Sequence, residues 1–368
     1  MSMLIAGLLA RGGSLEEGWV EVDGGRIAQA GPGPPPRPGA DRHDGIVAPG
    51  LVDLQVNGCG GHEVTGGSTA LDAIDAVQLA HGVTTYLPTI LDLDEHDAGR
   101  LLGELAERAA APDSPVAGVH LEGPFLAEAH AGMHRREALR LPPGEVPSHL
   151  VSGAVRLVTL APELPGATEL IARLRARGVA VSLGHSGATA AEARAALDAG
   201  AGLVTHLFNG MAPLHHREPG LAGVALTDGR ALVTLIADGV HVDPAILELT
   251  RRAAGPRVVL ISDASPAAAA PAGTYELAGV RIERDEGGTV RTPEGRLGGS
   301  SLTLDAAVRG WASLTEATLA EALAAASERP ARVLGLPEPL TPGAPADLVL
   351  LDPEGEVVRT MRHGRWLD

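Results

Sequence analysis

Lysine is absent from this chain of 368 residues, and all 29 of its basic residues are arginine. Catalysis through a lysine Schiff base, a phosphate-binding loop of the Walker type and a metal pair bridged by a carbamylated lysine are therefore excluded. Any side chain that binds an anion through a positive charge must be an arginine or a histidine.

The chain also has little cysteine and no long hydrophobic run. Its single cysteine, Cys59, excludes an internal disulfide and favours a reducing compartment. A short apolar stretch, Met3–Ala10, follows no basic residue and ends at a glycine pair, so we interpret it as a strand rather than a signal peptide. Since no run of uninterrupted apolar residues is long enough to predict a membrane span, we expect a cytoplasmic protein.

Aromatic residues make up only 2% of the sequence, whereas hydrophobic residues make up 45%, so the core must be packed from alanine, valine and leucine. The formal net charge is −17, and no block of basic residues interrupts it. This charge argues against nucleic acid or an anionic membrane as a partner. An anionic small molecule would need a local basic pocket.

A repeated pattern of apolar strands and helices occupies the middle of the chain, residues 49–338. The eight strand candidates are Gly50–Val56, Val83–Pro88, Val116–Leu121, Val155–Leu160, Val179–Leu183, Leu203–His206, Leu232–Ala237 and Arg257–Ser262. Continuous apolar strands separated by helices predict a parallel sheet that is covered on both faces. We predict an α/β fold with a (β/α)8 barrel of the TIM type; a doubly wound open sheet is the alternative.

Both ends of the chain, residues 1–48 and 339–368, contain short strands and turns instead of this pattern. We predict that the two ends join into one small β-sandwich domain beside the barrel. A β-hairpin insertion is expected at about residues 274–297, after the eighth strand. A final helical region, Thr303–Leu334, is expected to complete the barrel.

Charged or imidazole side chains follow several of the predicted strands, where barrel enzymes place their reactive residues. Glu122 follows the third strand, His185 follows the fifth and His206 ends the sixth. Two neutral imidazoles and one carboxylate form a common shell for a catalytic divalent ion, with one position left open for water. Asp263, after the eighth strand, is placed to take a proton from that water and pass it to a leaving group. The sequence therefore predicts a metal-dependent hydrolase.

Other histidines and one arginine are weaker candidates for the same rim. His241 follows the seventh strand, and His62 follows the first strand as a candidate for an additional metal ligand. His215, His216 and Arg217 form a local basic cluster in an acidic protein, and arginine is suited to bidentate contacts with phosphate. For each of these groups the alternative is a structural or solvated side chain.

Five ordered motifs run from the first barrel strand to the eighth. They are APGLVDLQVNG at 48–58, HLEGPF at 120–125, GHS at 184–186, THLFNGM at 205–211 and SDA at 262–264. This set resembles the N-acetylglucosamine-6-phosphate deacetylases, which belong to the amidohydrolase superfamily. The similarity continues to the closing ADLV segment at 346–349, so it covers nearly the whole chain.

The resemblance implies a β/α barrel with a β-sandwich made from both termini, and it implies roles for individual residues. Glu122, His185 and His206 would bind one divalent metal ion, with zinc expected first and iron, cobalt or manganese also accepted by this shell. Asp263 would act as general base and then as general acid, and His134 would assist at the amide carbonyl of the substrate. The implied contacts with the sugar phosphate are Met133, Asn209, Gly210, Arg217, His241, Leu297, Gly298 and Gly299.

Two features of the sequence refine these expectations. Many amidohydrolases carry a His-x-His pair for a second metal, whereas this chain has Gln55 and Asn57, so we expect one ion per subunit. Met133 stands where a smaller residue is more usual beside the pocket histidine. In the family, the arginine that matches Arg217 reaches the site of the neighbouring subunit, so we expect a homodimer with shared sites.

The expected reaction is hydrolysis of N-acetyl-D-glucosamine 6-phosphate to D-glucosamine 6-phosphate and acetate. The alternatives are the galacto epimer as substrate, another amidohydrolase that acts on a cyclic amide, an imide or a base, and a non-catalytic sugar-phosphate sensor. A sensor predicts a damaged reaction centre, yet Asp263 and the three candidate ligands are all present.

Overall fold

The computed structural model describes residues 2–92, 95–151 and 153–367, so Met1 and Asp368, the outermost residues of the predicted small domain, lie outside the described residues. The strands are β1 Met3–Arg11, β2 Ser14–Asp23, β3 Arg26–Pro32, β4 Asp41–Pro49, β5 Leu51–Val56, β6 Gly58–Cys59, β7 His62–Glu63, β8 Val83–Leu91, β9 Val119–Glu122, β10 Val155–Leu160, β11 Ala180–Leu183, β12 Leu203–Val204, β13 Leu232–Leu235, β14 Val258–Leu260, β15 Gly273–Leu277, β16 Val280–Arg284, β17 Val290–Arg291, β18 Leu348–Leu351, β19 Val357–Arg362 and β20 Arg365–Trp366. The α-helices are α1 Ser68–Ala80, α2 Glu95–Ala110, α3 Ala167–Arg175, α4 Ala190–Asp198, α5 Gly220–Thr227, α6 Pro244–Ala254, α7 Leu304–Leu314, α8 Leu319–Ala326 and α9 Glu328–Val333.

Eight parallel strands form the barrel, in the order β5, β8, β9, β10, β11, β12, β13 and β14. The first and last strands meet just beyond their carboxyl ends, through a parallel bridge between Val56 and Ala264. The N–H of Asn57 also donates to the carbonyl of Ala264 at 2.8 Å. The predicted barrel is confirmed, and the open doubly wound sheet is excluded.

The sixth barrel strand is shorter than predicted. The apolar run predicted a strand to His206, but β12 ends at Val204. His206 has a φ of 29°, which lies outside the β region that a strand requires. The third strand, β9, likewise begins at Val119 and not at Val116, because Gly118 has a φ of 133°.

Helix α4 shows how short sequence signals fix the helices around the barrel. The Thr189 side chain accepts a hydrogen bond from the N–H of Glu192, and the Glu192 carboxylate accepts one from the N–H of Thr189, so the helix starts with a capping box. Its buried face is Ala190, Ala193, Ala196 and Leu197. Small alanines let such helices lie close to the valine- and leucine-rich strands, which is how the barrel packs with few aromatic residues. No helix within the described ranges is both long enough and apolar enough to cross a membrane.

Strands from both termini form a second, seven-stranded sheet, in the order β20, β19, β18, β4, β1, β2 and β3. The sheet curls on itself, since the N–H of Ile27 donates to the carbonyl of Ala344 at 2.9 Å. Side chains from both ends of the sheet share one apolar cluster that includes Val22, Leu348 and Met361. The predicted small β domain built by both termini is confirmed; its limits near residues 48 and 339 stay a prediction.

The insertion after the eighth barrel strand contains a hairpin, β15 and β16, in the predicted region, and a third strand extends it into a small sheet. β15 pairs with β16, and β16 pairs with the two-residue strand β17, all antiparallel. Leu277, Ile282 and Val290 of this sheet pack together with Ala267 in a separate buried cluster. Strand β17 is too short to show an alternating pattern, so only the first two strands were detectable in the sequence.

A buried carboxylate joins the first two outer helices to the second barrel strand. The hydroxyl of Tyr86, fully buried on β8, donates to Asp75 Oδ1 at 2.7 Å. Arg108 on α2 donates to Asp75 Oδ2 from Nε at 3.1 Å and also from a terminal nitrogen. Burial raises the pKa of Asp75 although these donors oppose it. Both carboxylate oxygens are satisfied, which fixes α1 and α2 on the barrel.

Tyr86→Phe should lower the free energy of unfolding by about 1–3 kcal/mol, because it leaves the buried Asp75 Oδ1 without its hydroxyl donor. Tyr275→Phe is a matched control, since the Tyr275 hydroxyl donates to the Pro271 carbonyl at 2.7 Å in an exposed position. The control should change stability by less than about 0.5 kcal/mol. Urea unfolding of the two variants compares them directly, and equal losses would contradict the role of Asp75.

Candidate active site

Three buried side chains converge at the carboxyl ends of β9, β11 and β12. Glu122 Oε1 lies 3.0 Å from His185 Nε2 and 2.9 Å from His206 Nε2, and the two ring nitrogens are 3.2 Å apart. All three donor atoms lie within 4.8 Å of one another. Among the described residues, this is the one group of His, Cys, Asp or Glu side chains with such spacing. The strand-end positions singled out in the sequence thus come together.

The protonation states of this group suit a divalent cation. His185 Nδ1 lies 2.9 Å from the carbonyl oxygen of His130, which can only accept, so Nδ1 carries the proton and Nε2 presents its lone pair. Burial lowers the pKa of His185, which favours the neutral ring. Burial alone would raise the pKa of Glu122, but its contacts with His185 and His206 hold it well below its usual range. The pKa of His206 is raised, since contact with Glu122 outweighs burial. A bound cation would reverse that balance.

Amide groups occupy the positions where many amidohydrolases have the His-x-His pair. Gln55 Nε2 donates to Glu122 Oε2 at 3.2 Å and to Asp263 Oδ1 at 2.9 Å. Asn57 Nδ2 donates to the same Asp263 oxygen at 2.9 Å. The Gln55 amide therefore bridges the two carboxylates, the Asn57 amide donates to Asp263 alone, and both nitrogens supply hydrogens and no lone pair.

Asp263 is a buried carboxyl whose acidity is shifted toward neutrality. Burial, and then the nearby charge of Glu122, raise the pKa of Asp263 to about 6, while His206, His241 and the Asn57 amide oppose the shift. The pKa of Glu122 moves in the opposite direction. Two carboxylates whose pKa values are driven apart are suited to different roles, one as an ionised ligand and one as a proton carrier.

The backbone at these positions is strained. His185 and Asp263 each have a φ of 48° and His206 has a φ of 29°, in the left-handed region that non-glycine residues seldom adopt. Such conformations cost about 1–3 kcal/mol each and are concentrated at functional sites. Here they turn the chain sharply where β11, β12 and β14 end, so that the side chains meet over the barrel mouth.

A pocket of about 280 Å³ opens above this group. Besides the three candidate ligands and Asp263, it is lined by Asn57, Leu91, Gly132, Met133, His134, Asn209, Gly210, His241, Leu277, Arg296, Leu297 and Gly299. Gly210 has a φ of 59°, and a Cβ on it would lie 2.8 Å from His185 Nδ1, so this position requires glycine. Met133, His134, Asn209, Gly210, His241, Leu297 and Gly299, named from the family resemblance, therefore surround one space.

His241 is held in a defined orientation at the pocket. Its Nδ1 lies 2.7 Å from Asp238 Oδ2, and its own N–H donates to Asp238 Oδ1 at 2.8 Å. Burial raises the pKa of Asp238, but the hydrogen bond with His241 outweighs it and lowers the pKa below its usual value. Because the carboxylate accepts a hydrogen bond from Nδ1–H, Nε2 is the ring nitrogen that remains available to a ligand.

Three of the candidate residues do not line this pocket. Gly298 is buried beneath its neighbours Leu297 and Gly299. Arg217 is exposed, and one of its terminal nitrogens lies 2.8 Å from His216 Nε2. His62 lies on β7, exposed to solvent and outside the metal-binding group.

Sequence reasoning missed two residues of the pocket region. Asp92 follows the second barrel strand and lies 3.0 Å, Oδ1 to Nδ1, from His134, so the strand-end rule applied to β8 would have found it. Arg296 lies beyond β17 in the insertion and donates to the carbonyl of Gly132 at 2.8 Å. No sequence signal for Arg296 existed, because its position depends on how the three-stranded insertion folds over the barrel.

Comparisons with known proteins agree with this geometry. The profile of the amidohydrolase family matches residues 46–367. N-acetylgalactosamine-6-phosphate deacetylase of Escherichia coli O157:H7 is 40% identical, over 92% of this chain and 92% of its own length. N-acetylglucosamine-6-phosphate deacetylase of Homo sapiens is 37% identical, over 87% and 82% respectively.

Solved structures extend the comparison to the fold. N-acetyl-D-glucosamine-6-phosphate deacetylase of Mycobacterium smegmatis is 35% identical and superposes over 100% of both chains with a TM-score of 0.93. A mutant of the same enzyme in complex with N-acetyl-D-glucosamine-6-phosphate is 36% identical, with a TM-score of 0.92 over 99% of both chains. This chain therefore belongs to the amidohydrolase family and, within it, to the N-acetylglucosamine-6-phosphate deacetylases.

Proposed function

We propose that this protein hydrolyses the acetamide bond of N-acetyl-D-glucosamine 6-phosphate, giving D-glucosamine 6-phosphate and acetate. The observation that carries the proposal is the position of Asp263, a buried carboxyl that the Gln55 amide links to Glu122 of the Glu122, His185 and His206 group. The named activities of the relatives, and the complex of the Mycobacterium smegmatis enzyme with this sugar phosphate, support the choice of substrate. An intact proton carrier and ligand set argue against a non-catalytic sensor.

Glu122, His185 and His206 would hold one divalent ion, for which we propose zinc, while iron, cobalt and manganese accept the same donors. When bound, such an ion lowers the pKa of water and polarises the amide carbonyl. The amides of Gln55 and Asn57 point their hydrogens at the neighbouring carboxylates, which supports one ion per subunit.

The remaining steps fall to side chains of the pocket. Asp263 accepts a proton from the attacking water and then delivers it to the amine nitrogen as the carbon–nitrogen bond breaks. In this proposal, His134 contacts the carbonyl oxygen of the amide that is hydrolysed. The acetyl group of the substrate leaves as acetate, and the amine stays on the sugar.

The sugar and its phosphate would be bound by the outer part of the pocket. His241 presents Nε2, and Asn209, Gly210 and the segment Leu297–Gly299 supply neighbouring contacts, with Met133 against the sugar or the acetyl group. Because the chain has no lysine, we propose that an arginine guanidinium binds the negatively charged phosphate.

We propose that this guanidinium is Arg217 of the partner subunit in a homodimer. In its own chain Arg217 is exposed and contacts His216, on a loop that also exposes 45% of Leu214. An exposed apolar side chain beside a cation suits a loop that packs on a second copy.

We further propose a cytoplasmic location, which the single buried Cys59 favours. We also propose that residues 1–48 and 339–368 form one domain and that residues 49–338 form the other.

The metal-loaded protein should release acetate from N-acetyl-D-glucosamine 6-phosphate, and Asp263→Asn should lower kcat by at least ~10²–10⁴-fold, because the amide cannot carry the proton. Acetate release is measured for both forms, with the galacto epimer, the unphosphorylated sugars and a cyclic amide as parallel substrates. Metal content and sugar-phosphate binding of the variant are the controls and should be retained.

If Asp263→Asn kept a tenth of the wild-type kcat, another residue would have to carry out the proton transfer. Absence of acetate release by the wild-type protein would overturn the proposed function. A higher kcat/KM with the galacto epimer or the cyclic amide would select that alternative instead.

Arg217→Ala should raise KM for the phosphorylated sugar far more than for the unphosphorylated one, by the equivalent of about 1.5–3 kcal/mol for a charged hydrogen bond. Arg230→Ala is a matched control, since Arg230 is a surface arginine paired with Asp228 and Asp198. The control should leave both KM values unchanged.

Mixing inactive Asp263→Asn subunits with Arg217→Ala subunits distinguishes a shared site from a self-contained one. In a shared-site heterodimer, one of the two sites has an intact Asp263 and an intact Arg217 from the partner, so activity should recover. No recovery after verified subunit exchange would place Arg217 at its own chain's site, and a monomer in solution would exclude sharing.

A further inference from the structure

The second barrel strand ends in a buried carboxylate that faces the pocket histidine. Asp92 directly follows β8 and has a φ of 49°, so the chain turns sharply where this strand ends. Its Oδ1 lies 3.0 Å from His134 Nδ1, and both side chains are 1% exposed. The other oxygen, Oδ2, accepts from the N–H of Arg135 at 2.8 Å and from its Nε at 3.4 Å. Both oxygens of Asp92 are therefore used by adjacent residues of one loop.

This arrangement determines how His134 meets the pocket. An ionised carboxylate only accepts, so His134 Nδ1 must carry a proton and Nε2 is the nitrogen available to a ligand. The ring of His134 also packs edge-on against the ring of His185, with centroids 4.7 Å apart. The contact with Asp92 and the contact with His185 together restrict rotation of the imidazole about its side-chain torsions.

The pairing with Arg135 explains why a carboxylate is tolerated at this depth. Burial opposes the charged form of Asp92, but the hydrogen bond with His134 and the donors of Arg135 outweigh it and lower its pKa. Asp92 thus stays ionised and keeps an acceptor oxygen directed at His134 Nδ1.

We propose that Asp92 is a positioning residue of the reaction, which acts through His134 by fixing its ring so that Nε2 faces the scissile amide. This inference rests on the proposed function for the identity of the substrate. It adds to that function a residue of the second barrel strand, which neither the strand-end candidates nor the family resemblance included. Carboxylate partners of metal-binding histidines typically change activity by about 10–100-fold when they are removed, and we expect an effect of the same size for this pocket histidine.

A second aspartate–histidine pair provides a matched control. His81 Nδ1 lies 3.1 Å from Asp305 Oδ1, where Asp305 is 5% exposed, but this pair lies outside the pocket. Asp305→Asn therefore makes the same chemical change in a similar pair without touching the reaction. Asp92→Asn is the test variant: either orientation of the new amide puts its NH2 group against His134 Nδ1–H or against the N–H of Arg135.

Asp92→Asn should lower kcat for acetate release about 10–100-fold, with KM and metal content unchanged, whereas Asp305→Asn should leave kcat unchanged. In a His134→Ala background, Asp92→Asn should cause no further loss, because Asp92 acts only through that ring. Wild-type kcat in Asp92→Asn would overturn the proposal, as would a full additional loss in the His134→Ala background.

A measurement on the wild-type protein keeps the test independent of substrate and of the folding of Asp92→Asn. In metal-loaded protein labelled with ¹⁵N-histidine, the ring signals lost in His134→Ala identify His134, and its Nδ1 should show the chemical shift of a protonated nitrogen. An unprotonated Nδ1 would overturn the proposal. If the wild-type protein released no acetate from any sugar phosphate, the proposed function would fail, while this measurement would still decide the role of Asp92.

Discussion

Two buried carboxylates, Glu122 and Asp263, share one amide donor, Gln55 Nε2, and the chemistry of the site depends on keeping their charges different. Contacts with His185 and His206 hold the pKa of Glu122 well below its usual range, whereas burial and the charge of Glu122 raise the pKa of Asp263. If both were ionised without a cation, they would repel each other in a low-dielectric interior. In the proposed function, one divalent ion beside Glu122 and one proton carried by Asp263 would resolve this conflict, and both would serve amide hydrolysis.

The barrel makes this arrangement possible because its parallel strands all end at the same rim. Strained residues at three of these ends, including His185 and His206, turn their side chains inward. The surrounding packing must stabilise that strain, and the closely packed core does so mainly with alanine, valine and leucine and with few aromatic side chains. The insertion and the loop that carries His134 then cover the rim, where the hydrogen bond from Arg296 to Gly132 links them.

Structural features that depend on residues close together in the sequence were predictable. Those that depend on contacts between residues far apart in the sequence were not. The strand Val155–Leu160 was predicted at its observed limits because it is a continuous apolar run between turns. The end of the sixth strand was not, since the positive φ of His206 leaves no trace in apolar periodicity. Asp92 was missed as a partner of His134 because 42 residues separate them, and only the folded loop brings them to 3.0 Å.

The proposed chemistry requires that Glu122, His185 and His206 hold a single cation. The amide groups of Gln55 and Asn57 would occupy the position where many amidohydrolases bind a second one. Anomalous diffraction from crystals of active, metal-loaded protein, collected at the absorption edge of the metal, measures this most directly. The account predicts one strong peak per chain, at the meeting point of Glu122 Oε1 and the two Nε2 atoms. A second peak of similar height beside Gln55 and Asn57 would contradict it.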